Sequence, residues 1–134
     1  MSHDEDMIGR TLSEYSRRCD DGRFEELADL FTEDARLFVL DQVAEGREAI
    51  RRYLETVQAD GRRGLHVTTN SLIDVDGDKA TAATDYLFVR PASEGVAIIA
   101  AGRYLDELVR HGAGWRFRAR TITLLGVPTG GGDD

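Results

Sequence analysis

Gly64-Leu65-His66-Val67-Thr68-Thr69-Asn70-Ser71-Leu72-Ile73-Asp74-Val75-Asp76-Gly77-Asp78 is the stretch on which the reading of this chain turns. It starts as a strand and ends in an Asp-Gly turn, a hairpin signal. The chain before it reads mostly as helix, and the chain after it as strand. Strand side chains alternate between faces, so His66, Thr68 and Asn70 share one face, barring a bulge. A polar triplet on an otherwise apolar strand is a local inconsistency, and such inconsistencies fall at functional sites. A solvated face is the plain alternative, since polar-out alternation is the norm.

Upstream, Ser2 and Glu5 have capping-box spacing. Ile8, Leu12, Tyr15 and Cys19 follow at helical spacing. They predict a first helix that stops near Asp20-Asp21-Gly22. A short second helix shows Phe24, Leu27, Ala28 and Phe31 on one face and is closed by Thr32-Glu33-Asp34. Arg36 to Leu40 reads as a short strand. A third helix follows Gly46, with Ile50, Tyr53, Leu54 and Val57 on one face. Downstream, strands are expected over Leu65–Val75, Lys79–Arg90, Gly95–Val109 and Trp115–Val127. Pro91 ends the second, because proline fits poorly inside a sheet. Helices first and antiparallel strands after make an α+β domain. The long strands imply a strongly curved, mostly antiparallel sheet, and a curved sheet closed by the N-terminal helices encloses a pocket. The 134 residues form one domain, with a core over about 5–127 and a tail over 128–134.

The bulk properties exclude several classes. A hydrophobic fraction of 41% is ordinary for a globular protein. A net charge of −8 argues against nucleic acid and against anionic membranes. Cys19 is the one cysteine, so no internal disulfide forms and a reducing compartment fits. No signal peptide or membrane-length apolar run is seen. The expectation is a cytoplasmic protein. Asp74-Val75-Asp76-Gly77-Asp78 is no calcium loop: its glycine comes too early and no glutamate closes it. His3, His66 and His111 are too scattered for a metal site. Neither a metal nor an organic cofactor is expected. Arg116, Arg118 and Arg120 alternate on one strand face, and one of them reaches the cavity. Tyr53, Tyr86, Phe88 and Tyr104 are core aromatics; in a domain with a pocket, core and pocket wall are one surface.

Several pieces, in this order and spacing, carry a family resemblance. They are Tyr15-Ser16-Arg17-Arg18-Cys19-Asp20-Asp21-Gly22, Leu30-Phe31-Thr32-Glu33-Asp34-Ala35, Gly46-Arg47-Glu48-Ala49-Ile50, His66-Val67-Thr68-Thr69-Asn70, Gly102-Arg103-Tyr104-Leu105-Asp106 and Trp115-Arg116-Phe117-Arg118-Ala119-Arg120. Together they resemble the SnoaL-like branch of the nuclear transport factor 2-like superfamily, over about residues 5 to 127. The resemblance implies a cone-shaped fold. Within the family the chain looks most like scytalone dehydratase and hexachlorocyclohexane dehydrochlorinase. It then implies that Asp20 and His66 form a catalytic dyad. Asn70 and Arg120 stand at further site positions. Tyr15, Tyr86 and Tyr104 would line the substrate pocket. Tyr15 stands where the dehydrochlorinase has a lysine, and Cys19 where the dehydratase has a tyrosine.

The chemistry of such a pair follows from general principles. A neutral imidazole is a base that works near pH 7. A carboxylate on its other nitrogen sets the tautomer and stabilises the imidazolium, as in the His–Asp half of a triad. No Gly-x-Ser-x-Gly nucleophile is present, and Cys19 lies on an apolar helical stripe. The pair therefore suits proton abstraction: elimination of water or halide, or a double-bond shift. This reads as a cofactor-free lyase or isomerase acting on a small apolar, cyclic or polyketide-like molecule. The alternatives are a non-catalytic ligand-binding or partner-binding member of the fold, or the small subunit of a ring-hydroxylating oxygenase. Asp20 could also serve only as a cap for the second helix. Apolar residues such as Ile98, Ile99, Ala101 and Leu105 point to a homodimer.

Overall fold

A computed structural model describes residues 2–127. The expected tail, 128–134, lies outside the described residues. Helix α1 runs His3–Asp20. The Ser2 side chain accepts a hydrogen bond from the Glu5 backbone N–H at 3.1 Å, as the capping spacing predicts. Asp4, Glu5 and Asp6 sit in the first turn and Arg17 and Arg18 in the last, complementing the helix dipole. The stripe Ile8, Leu12, Tyr15 and Cys19 is buried. Helix α2 is only Phe24–Ala28. Strands β1 (Phe31–Val39) and β2 (Gln42–Glu45) follow, then helix α3 (Arg47–Val57). The remaining strands are β3 (Leu65–Asp76), β4 (Lys79–Pro91), β5 (Val96–His111) and β6 (Gly114–Leu124).

The six strands form one sheet in the order β2-β1-β6-β5-β4-β3. Among the described residues only the β1–β6 pairing is parallel. The architecture is thus α+β, with helices leading a mostly antiparallel, curved open sheet. α1 packs on β3 and β6. No helix among the described residues is long and apolar enough to cross a membrane.

Two early elements differ from the sequence expectation. Phe31 does not end a helix; it opens β1, and Thr32-Glu33-Asp34 lies within that strand. The Leu30 carbonyl accepts from the Phe117 N–H at 2.7 Å, so pairing with β6 takes over where a helical stripe would have continued. Strand β2 was not expected; its four residues are too few and too exposed to show a period.

Of the four register shifts in the sheet, two decide which way His66 and Arg120 face. Counting back from the Asp76–Lys79 end of the β3–β4 hairpin, a regular ladder would place His66 opposite Val89, facing away from the helices. The register slips between Thr69 and Leu72, and His66 instead pairs with Phe88. The extra residue is absorbed at Asn70, whose φ is 57°. Asparagine tolerates this left-handed conformation better than other non-glycine residues. On the helix side of β3, His66 and Thr68 are therefore succeeded by Ser71, Ile73 and Val75, not by Asn70. The slip that turns Arg120 lies in β5–β6, between Glu107 and Leu108. Leu108 pairs with Phe117 but Glu107 with Ala119, leaving Arg118 as the extra residue. Without it Arg120 would face Leu105 on the outer side of the sheet. With it Arg120 joins Phe117 and Trp115 inside, so the expected alternation of Arg116, Arg118 and Arg120 on one face does not hold.

The β3 bulge predicts an unusual substitution pattern. Asn70→Gly should leave urea stability unchanged or slightly raised, because glycine adopts positive φ freely. Asn70→Val should cost about 1–3 kcal/mol, the usual cost of a strained backbone residue. Equal stability of the two variants would show that the left-handed bulge does not set the β3 register.

Candidate active site

Asp20 is the last residue of α1 and His66 the second of β3. His66 Nδ1 lies 2.6 Å from Asp20 Oδ1. The His66 backbone N–H donates to the other oxygen, Oδ2, at 3.0 Å. The two side chains are only 8% and 9% exposed, so the pair is shielded from bulk water. An ionised carboxylate can only accept, so the proton of the neutral ring sits on Nδ1. Nε2 then carries the lone pair. Asp20 is not the cap of α2, whose N-cap is Arg23.

An aromatic row leads from this pair across the sheet. The His66 ring packs on Phe88 at 4.7 Å and faces Tyr86 at 6.3 Å. Tyr86 stacks on Tyr104 at 4.4 Å and 12°. Tyr15 of α1 meets Tyr104 edge-on at 5.8 Å. The Arg120 guanidinium carbon sits 3.7 Å from the Tyr104 ring centre and 4.2 Å from that of Tyr15. The structure therefore joins five predicted site side chains and Asp20 into one contiguous interior cluster. Asn70 is not among them. It is exposed, and its amide reaches Asp85 at 3.4 Å on the outer face. The bulge that turns His66 inward turns Asn70 outward, which corrects the expectation that the two share a face.

Asp106 completes the cluster and was not singled out in the sequence. Arg120 Nε and Nη2 donate to its two oxygens at 2.7 and 3.0 Å, a bidentate pair. The two side chains are 1% and 0% exposed. Burial pushes the Asp106 carboxyl above the usual carboxylate range, with Arg120 opposing. The available signal was the period-two run Tyr104, Asp106, Leu108. The Arg118 bulge hid it, because a regular hairpin would set Asp106 opposite Ala119.

Burial also raises the phenols of Tyr15, Tyr86 and Tyr104. All three are neutral hydroxyls at physiological pH. The Cys19 thiol is pushed up to about 12, mainly by burial and then by the neighbouring Asp20 charge. A thiol held neutral in this way is no nucleophile. Among the described residues no group of His, Cys, Asp and Glu side chains is arranged to hold a metal ion.

A family model for the SnoaL-like domain matches residues 1–121. The chain belongs to the SnoaL-like domain family. Its fold is that of the nuclear transport factor 2-like superfamily. No curated protein matches the chain. Among solved structures, a Mycobacterium tuberculosis protein of unknown function is 31% identical, with a TM-score of 0.80 over 88% of this chain and 69% of that one. A candidate scytalone dehydratase from Novosphingobium aromaticivorans is 26% identical, with a TM-score of 0.79 over 97% of this chain and 95% of that one. A Catenulispora acidiphila protein in complex with S-DNPA is 25% identical, with a TM-score of 0.79 over 90% and 92%. Of these three relatives of the SnoaL-like domain one alone is named for an activity, and that as a candidate.

Proposed function

We propose that this protein is a cofactor-free lyase or isomerase in which His66 Nε2 removes a proton from a small, largely apolar substrate. The observation that carries this reading is the double hydrogen bond between the Asp20 carboxylate and His66. It sets the tautomer, aims the ring, and places a negative charge where the imidazolium would form. The surrounding Phe88, Tyr86 and Tyr104 supply an apolar wall. The proton taken up by Nε2 can be returned to a departing hydroxyl, which gives elimination of water, or to another carbon, which gives a double-bond shift. The similarity to a candidate scytalone dehydratase supports the first outcome. A second reading, ligand binding without turnover, is favoured by the relative that holds S-DNPA.

The two readings separate on kinetics with a substrate drawn from a metabolite library. In the enzyme, kcat/KM rises with pH through one ionisation of the free protein. His66→Gln removes that limb and lowers the rate by about 10²–10⁴-fold, the range for a positioned base. Asp20→Asn keeps the fold and loses much of the rate, because an amide can stabilise the wrong tautomer. Folded variants that retain full activity would reduce the pair to a structural contact.

The same reading includes a homodimer. The outer face of the sheet carries Leu65, Val67, Leu72, Leu87, Ile98 and Leu105, with Leu72 74% and Ile98 67% exposed. A groove of about 460 Å³, lined by Phe38, Leu72, Ala83, Leu105 and Thr121 among others, lies on this face, away from the dyad. Rows of exposed aliphatic side chains mark interaction surfaces, and two-fold pairing is the commonest closed solution. Light scattering at micromolar concentration should give twice the 14.9 kDa chain mass. A monomer mass would remove the dimer from the proposal.

A further inference from the structure

Arg63 lies three residues before His66, in the segment between α3 and β3. Its Nε donates to the carbonyl of Gln58, the C-cap of α3, at 3.0 Å. The last turn of α3 holds no basic residue of its own, so Arg63 brings the cation that a helix C-terminus favours. The same guanidinium reaches the end of α1. Its carbon stands 5.6 Å from the ring centre of Phe24, and a Cβ on Gly22 would fall on it. Gly22 turns the chain out of α1 with a φ of 73°, and its N–H donates to the Cys19 carbonyl at 3.1 Å. The Arg63 charge is felt at Cys19, where with Arg120 it opposes the rise caused first by burial and then by Asp20. One cation therefore lies between the ends of two helices, beside the turn that carries Asp20.

Asp20 ends α1 and His66 opens β3, so their contact requires those two ends at a fixed separation. β3 is an edge strand, and the His66 backbone N–H has Asp20 Oδ2 as its partner. Both members are tied to Arg63 by short lengths of chain. Gly22 follows Asp20 by two residues, and the three residues from Arg63 to His66 span at most about 10 Å. Gly64, inside that span, is pressed on β4, since a Cβ there would meet the Val89 carbonyl. Arg63 has one carboxylate nearby, Asp60 at 3.9 Å, which is 99% exposed. A surface pair of that kind contributes little. Its hold comes from the Gln58 carbonyl and from planar packing on Phe24 and Gly22. We propose that Arg63 is a positioning residue for the dyad: its guanidinium clamps the ends of α1 and α3 beside the entry to β3 and so keeps Asp20 and His66 in hydrogen-bonding register. This rests on the reading of Asp20 and His66 as a catalytic pair, and it names what holds that pair together from outside.

Hydrogen exchange and imidazole NMR on the whole chain test this without a substrate. Arg63→Met removes the donor and the planar face but keeps an apolar stem. The His66 amide should then exchange about three- to tenfold faster, the effect of losing roughly one hydrogen bond's net contribution. Amides of the central strand β5 should keep their rates, because the opening is local. The His66 Nδ1–H resonance, held by Asp20 in the wild type, should broaden. Arg63→Lys should behave as Arg63→Met does, because an ammonium lacks the planar fork. Asp60→Asn should leave all of these signals as in the wild type. The kinetics of His66→Gln report on proton abstraction, and the exchange of the His66 amide reports on the clamp, so either reading can fail alone.

Several results would overturn the assignment. A His66 amide that keeps its protection in Arg63→Met would mean that the pair holds itself together. Equal acceleration across β5 would make Arg63 a general stabiliser of the fold and not a positioning residue. Wild-type protection in Arg63→Lys would reduce the contact to charge alone. Loss of protection in Asp60→Asn would move the hold to the surface pair. If Arg63→Met does not fold, the wild-type side chain decides. Its Nε–H should exchange more slowly than that of Arg62, which is exposed; equal rates would overturn the clamp.

Discussion

The Asp20 carboxylate sits at the C-terminal end of α1, where the helix carbonyls already make the potential negative. A cation is favoured there and an anion opposed, by about 0.3–1 kcal/mol at an exposed site. The chain places cations in the same last turn, at Arg17 and Arg18, and leaves Asp20 at its end. What offsets the cost is the pair of hydrogen bonds to His66, one from the ring and one from the backbone. Hydrogen bonds to a charged group contribute about 1.5–3 kcal/mol each. The contact ties the helical layer to the start of β3, which is an edge strand of the sheet. One carboxylate therefore closes the fold at its open side and orients the imidazole. Structural and chemical roles are not alternatives here, because the geometry that anchors β3 also sets the histidine tautomer.

Much of this was legible in the sequence. The α1 stripe, its Ser2 cap and the β3–β4 turn follow from local periodicity and turn chemistry. The residue types of the dyad also stood out, a histidine in a strand and an aspartate at a helix end. What local patterns could not show is which way His66 and Arg120 point. Alternation alone puts Asn70 with His66 and Arg118 with Arg120, and both pairings are broken by one extra residue in each strand. Asn70 offered a hint, being an asparagine inside a β-branched run. Arg118 offered none. The bidentate Asp106 partner of Arg120 stayed hidden for the same reason, since it is adjacent only in the shifted register.

The two bulges also explain why the interior is polar at two separated places and apolar between them. One presents His66 and the other Arg120. Phe88, Tyr86, Tyr104 and Tyr15 fill the interval as a continuous aromatic surface. The Cys19 thiol and the three phenols sit in the same interior, and burial keeps them neutral. The cluster thus holds one base with its carboxylate and one arginine with its carboxylate. Net charge within it is small.

By its position on Nδ1, Asp20 sets the tautomer of His66. Two-dimensional NMR of 15N-labelled imidazole tests this without any substrate. The expected result is a neutral ring with a protonated Nδ1 and a bare Nε2 in the wild type, and a change in that pattern in Asp20→Asn. A wild-type ring that carries its proton on Nε2, or a pattern unaltered by Asp20→Asn, would contradict it.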